Sequence, residues 1–174
     1  ATENVKCDSF VYGKSEMGRD LVCYSISGEN YDKTILLNFA IHGFEDEYDH
    51  DSYVLTETAD KLVEYYKNID DMHNCRLFII PCANPDGQID GTTNYGFGRC
   101  NAKGIVNYQT YSSARNYTQS AFSATESRAL RDLCNEYKPY VVIDFHGWEN
   151  CTIGDYEIAS VFYDKMDLML SHPF

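Results

Sequence analysis

Apolar positions along this chain fall into two kinds of pattern, dense short runs and helically spaced stripes. The stretch Thr34 to Glu45, TILLNFAIHGFE, opens with Ile35-Leu36-Leu37 and continues through Phe39 and Ile41. Bounded by polar residues, such a run reads as a strand buried on both faces. Arg76 to Cys82 (RLFIIPC) and Tyr140 to Phe145 (YVVIDF) read the same way. Ser9 to Tyr12 and Leu21 to Ile26 are shorter β-type runs. Gly13 and Gly18 supply turns between them, in a polar loop whose Lys14 and Arg19 are expected to be solvated. Leu55, Ala59, Leu62 and Tyr66 repeat at helical spacing, predicting a helix up to about Lys67. The acidic run Asp46, Glu47, Asp49 and Asp51 lacks EF-hand spacing and reads as that helix's N-terminus. Leu130, Leu133, Cys134 and Tyr137 lie at i, i+3, i+4 and i+7, behind Ser123-Ala-Thr-Glu126, which reads as a capping box. Pro139 stops this second helix. Asn84-Pro85-Asp86-Gly87 reads as a turn, and the Gly-, Asn- and Tyr-rich stretch from there to about Ala121 as a long functional loop. Strands alternating with helices predict an α/β domain with a mixed, largely parallel sheet and helices on both faces.

Chemistry gathers where two of these strands end. The first runs into His42-Gly43-Phe44-Glu45 and the third into His146-Gly147. The ends of buried strands are where open α/β sheets carry their sites. Imidazole and carboxylate are both zinc ligands, and a bend at Gly43 would let His42 and Glu45 reach one ion. H-x-x-E alone is a weak motif and reads first as a surface histidine beside an acidic helix start. With His146 added, His42, Glu45 and His146 form a His₂Glu set, the pattern of catalytic zinc sites that keep a fourth position open. Asp144 fits either an outer partner of the histidine or a strand-end charge. His50 and His73 sit in polar surroundings and read as surface residues.

Composition narrows the classes. The 174 residues suffice for one domain with a core, and the net charge of −13 argues against nucleic acid, whose affinity rests on Lys and Arg. No apolar run approaches the ~20 residues of a membrane span. The acidic balance fits a secreted protein, no signal peptide is visible, and the first residue is Ala1. Seven cysteines without a C-x-x-C pair disfavour a thiolate zinc cluster, and Cys23, Cys82 and Cys134, in apolar patterns, read as core thiols. Asn116-Tyr-Thr118 and Asn150-Cys-Thr152 match the glycosylation pattern, relevant only in a eukaryotic secretory host.

The order strand-HxxE, helix, strand-NPDG, long loop with an arginine, capped helix, strand-DFHG resembles the zinc carboxypeptidases of the M14 family. The opening YGKSEMGRDLVCYSI is also similar to the start of their catalytic domain. The resemblance covers nearly the whole chain. It implies a peptide substrate, one zinc ion on His42, Glu45 and His146, and a catalytic role for Arg99 in polarising the scissile carbonyl. A zinc ion with three protein ligands lowers the pKa of its water toward ~7. A guanidinium aimed at the carbonyl oxygen stabilises the developing oxyanion.

Two departures shape the expectation. The family's Asn-Arg pair, which grips a C-terminal carboxylate, is replaced without gaps by Tyr108-Gln109, with Arg115-Asn116 a few residues on. The family's general-base glutamate and a substrate-binding tyrosine lie well downstream of the third ligand, whereas 28 residues follow His146 here. Glu149 and Glu157 stand outside the base's family context, and Trp148 reads as a rim or core aromatic. Residues 1–174 are therefore expected to form a single domain that is an incomplete metallocarboxypeptidase catalytic domain, completed by a downstream fragment. Three functions follow in order: a zinc metallopeptidase of carboxypeptidase type, a related amidase or cell-wall peptide hydrolase, and a non-catalytic zinc- or peptide-binding module.

Overall fold

The computed structural model describes residues 4–44, 51–92, 98–103, 122–147, 151–166 and 169–171. Strands β1 (Lys6–Lys14), β2 (Asp20–Ser27), β3 (Lys33–Phe39), β4 (Cys75–Ile80) and β5 (Val141–Phe145) form one sheet in the order β1-β2-β4-β3-β5. β1 and β2 pair antiparallel, as do β2 and β4, while β3 lies parallel to both β4 and β5. Helix α1 (Asp51–Tyr66) connects β3 to β4. After β4 come the short helix α2 (Pro85–Asp90) and α3 (Thr125–Tyr137), which leads into β5. A second small sheet pairs β6 (Cys151–Ile153) with β7 (Met169–Ser171) in parallel, around α4 (Tyr156–Met166).

Period-2 alternation divides the sheet residues between two apolar layers. On one face Cys23, Leu36, Phe78 and Ile80 pack with Leu130 and Leu133 of α3, and Cys134 and Tyr137 join them. On the other, Ile26, Leu77, Ile79 and Phe39 pack with Ala59 of α1, flanked by Leu55, Leu62 and Tyr66. The two apolar stripes read from the sequence are these two helix faces. Each fully buried Leu, Ile or Phe in such a layer contributes about 1.5–3 kcal/mol. Phe39 stacks on Phe145 with ring centroids 4.3 Å apart, locking β3 to β5 next to the strand ends.

Several expectations change. The central strand stops at Phe39, because Ala40 takes a left-handed φ of 51° and turns the chain before His42. β5 is open on one side, with Val142 50 % exposed, rather than buried on both faces. The NPDG segment is the N-terminus of α2: Asn84 caps it by accepting from Gly87 N at 3.0 Å, and Pro85 stands where a missing N–H costs nothing. Ser123 does not cap α3, whose N-cap is Ala124 without a side-chain bond. Arg19 is not solvated but pairs with the fully buried Asp86 at 2.7 Å and with Asp90 at 2.6 Å. Residues 98–100, inside the expected loop, form a short extended segment. His73 is exposed beside Asp71, as read. Burial pushes the thiols of Cys23 and Cys82 up to about 12, which makes them inert core groups, and raises that of Cys134. Glu45, His50, Tyr108, Gln109, Arg115, Asn116, Trp148 and Glu149 lie outside the described residues. No helix among the described residues is long and apolar enough to cross a membrane.

Candidate active site

The chain moves from β3 to β4 on one side and later reaches β5 on the other side of β3. The strand order therefore reverses between β3 and β5. In an open sheet that reversal leaves a crevice beyond the carboxyl ends of the two strands. His42 and His146 emerge there. Phe39 and Phe145 are register partners, so the residues that follow them leave the sheet at the same level. The two imidazoles lie with ring centroids 5.5 Å apart.

Each ring is held by an oxygen of this chain. His42 is 2 % exposed, and its Nδ1 lies 3.1 Å from the Arg99 carbonyl oxygen. His146 is partly exposed, and its Nε2 lies 3.1 Å from Asp144 Oδ2. Asp144 is itself fixed by Asn38, its register partner on β3, whose Nδ2 donates to Asp144 Oδ1 at 2.8 Å. Of the two readings left open for Asp144, the partner of the histidine is the one the geometry gives. A neutral imidazole that donates from one nitrogen carries its lone pair on the other, which is how metal-binding histidines are oriented.

The bend after His42 depends on space. A Cβ on Gly43 would stand 2.1 Å from the carbonyl carbon of Gly87 and 2.4 Å from Gln88 N, so only glycine lets this turn lie on α2. Backbone bonds from Ala83 N to Phe39 O (3.0 Å) and from Asn84 N to Ala40 O (3.1 Å) close the contact. Beyond His146, the carboxylate of Asp51 fills the space beside Gly147, where a Cβ would come within 2.1 Å of Asp51 Oδ2. Asp51 is buried at the first turn of α1, so beside Asp144 a second carboxylate of the described residues borders this edge of the sheet. Its sequence signal was confounded with the acidic run before it.

Of the residues named from the sequence, His42, His146 and the backbone of Arg99 are thus brought together, and Glu45 lies outside the described residues. Among the described residues no set of three His, Cys, Asp or Glu converges as a metal cage. What the structure offers a metal is two imidazoles at adjoining strand ends, each with an oxygen behind it. That donor set fits zinc, to which Glu45 would add the carboxylate.

Comparison with known proteins agrees with this arrangement. The zinc carboxypeptidase family model matches residues 3–167. A curated relative, bacteriocin BCN5 from Clostridium perfringens, is 36 % identical over 169 residues, covering 89 % of this chain and 19 % of its own length. Carboxypeptidase A from Helicoverpa armigera superposes with a TM-score of 0.72 at 20 % identity, over 97 % of this chain and 52 % of its own. The murein-tripeptide amidase MpaA from Escherichia coli O157 superposes with a TM-score of 0.65 at 20 % identity, over 95 % and 73 %. The chain thus spans about a fifth of that bacteriocin and about half of that carboxypeptidase. With histidines closing two neighbouring parallel strands and a family match over nearly its whole length, the chain belongs to the zinc carboxypeptidase family, M14.

Proposed function

We propose that this protein is a zinc-dependent hydrolase of peptide bonds, a metallocarboxypeptidase in type, with His42, Glu45 and His146 as the metal ligands. The observation that supports it most is the approach of His42 and His146 to 5.5 Å across the β3–β5 crevice. Bound there, zinc supplies Lewis acidity toward a carbonyl oxygen and a water whose pKa falls toward ~7. The residues of this chain do the rest of what residues 1–174 contribute. Asp144, anchored on Asn38, holds the His146 ring in place through Nε2. Arg99 meets the negative charge that develops on the scissile carbonyl oxygen, and its main chain lies against His42. A general base is the remaining part of this reading, and a glutamate of a downstream fragment, as a partner polypeptide, would supply it. The test is zinc stoichiometry of the intact protein and of His146→Ala. About one zinc per wild-type chain and a large loss of affinity in the variant are expected, since each ligand is part of a three-residue set. Equal tight binding by both would remove His146 from the site.

A second reading, an amidase or cell-wall peptide hydrolase, draws on Tyr108-Gln109 standing where the family's carboxylate clamp is Asn-Arg. The similarity to a murein-tripeptide amidase and to a bacteriocin supports it, and a secreted location goes with it as part of the proposal, which detection in the culture medium would test. Peptides with free, amidated and D-configured C-termini separate the two readings. Preference for the free L-carboxylate selects the carboxypeptidase.

A further inference from the structure

Four consecutive residues, Gly98 to Asn101, are each gripped by a different group from elsewhere in the chain. Gly98 O accepts from Phe44 N at 3.1 Å, and Arg99 O lies 3.1 Å from His42 Nδ1. Cys100 O accepts from Asn84 Nδ2 at 3.1 Å, and Asn101 Nδ2 donates to Glu126 Oε2 at 2.9 Å. The last two grips come from the side chains of Asn84 and Glu126, residues that are 0 % and 3 % exposed. Asn84 also caps α2 through Oδ1 and bonds Ala40 O through its backbone N–H, so it ties the turn before His42 to the segment carrying Arg99. Glu126 receives Glu16 N on its other oxygen at 2.9 Å, and Asn101 Oδ1 receives Lys103 N at 3.0 Å. A carboxylate this deeply buried is costly unless its oxygens are satisfied, and Glu126 spends one on the β1–β2 turn and the other on Asn101.

We propose that Asn84 and Glu126 are positioning residues for Arg99. They fix the two residues that follow it, Cys100 through its carbonyl oxygen and Asn101 through its side-chain amide, so that a long side chain starts from a rigid Cα beside the metal-binding histidine. The role of Arg99 rests on the function proposed above, whereas the clamp rests on the contacts alone. A cation stabilises developing charge only when already in place, and an error near 1 Å costs ~10²-fold.

The test uses the intact protein. Glu126→Gln sets an amide nitrogen against a donor, either Glu16 N or Asn101 Nδ2. Adding Asn101→Asp restores a donor facing an acceptor while keeping an oxygen for Lys103 N. Asn84→Asp keeps the cap oxygen and loses the donor to Cys100 O. In metal-free protein, amide exchange at residues 99–101 is expected to rise ~10-fold in Glu126→Gln and in Asn84→Asp, with β3 and β4 unchanged, and to recover in the reciprocal pair. In zinc-loaded protein, kcat for peptide hydrolysis is expected to fall ~10-fold in either single variant with KM little changed. In an Arg99→Ala background the same substitutions are expected to change kcat less than ~2-fold, because the residue they act through is gone. Equal losses in both backgrounds, or uniform acceleration of exchange across the sheet, would reduce the pair to general stabilisers and overturn the proposal. If wild type hydrolyses no peptide, the proposed function fails, and the exchange measurement alone decides the clamp.

Discussion

Replacing Gly43 by alanine is expected to destabilise the protein by about 3 kcal/mol or more, although only a methyl group is added. The added Cβ would stand 2.1 Å from the carbonyl carbon of Gly87 and 2.4 Å from both Gly87 O and Gln88 N. Carbon atoms in contact need ~3.5 Å, so α2 would have to retreat by more than ~1 Å. All three atoms belong to the backbone, and no rotamer change relieves the overlap. Retreat stretches the bonds from Ala83 N to Phe39 O and from Asn84 N to Ala40 O. Overpacking costs ~1–3 kcal/mol, and each weakened backbone bond adds up to ~1 kcal/mol. At ~2–4 °C per kcal/mol for a chain of this size, the midpoint should fall by ~6–12 °C. The assay is thermal and urea unfolding by circular dichroism, with zinc affinity measured below the transition. Gly18→Ala is the control: its φ is 86° but nothing lies within 4 Å, so it should cost only about 1–2 kcal/mol of backbone strain. A midpoint for Gly43→Ala within ~2 °C of wild type would refute the steric account.

Three further outcomes are expected. Asp86→Ala removes the buried partner of Arg19, Ser15 Oγ and Met17 N, and should cost about 3–5 kcal/mol in urea unfolding. Cys23 and Cys82 should resist alkylation in the native state at pH 8. Their folded pKa values, raised from 9.0 to about 12, favour the neutral form, so the unfolded chain holds fewer protons above pH 9. Their contribution to stability should accordingly be complete below pH 9 and be lost as pH rises toward 12, which unfolding at stepped pH would follow. Residues 1–174 expressed alone should bind zinc yet turn over C-terminal peptides slowly, since general-base catalysis contributes ~10²–10⁴ in rate. Fast zinc-dependent turnover by that segment would place the base within it.

The five strands of the main sheet, the two long helices and the two strand-end histidines were legible in the sequence because their signals are local, whereas the short strands β6 and β7 and the helix α4 between them were not read from it. A dense apolar run, a stripe at i, i+3, i+4 and i+7, and a glycine after a histidine are each read within one element. The family resemblance rests on the order of such signals. What required the tertiary structure were contacts between residues far apart in the chain. Glu126 has the spacing of a capping box, yet its oxygens turn to the backbone N–H of Glu16 and the side-chain amide of the fully buried Asn101. Two donors fixed by the fold, one of them fully buried, outcompete the end of the glutamate's own helix. Arg19 reads as a solvated loop residue until the β1–β2 turn is laid against α2 and meets Asp86, 67 positions away. Asp144 is the partner of His146, and the β3–β5 register sets Asn38 opposite it to hold its other oxygen. Periodicity determines which face of an element is apolar, whereas the folded chain decides which polar groups meet once those faces are buried.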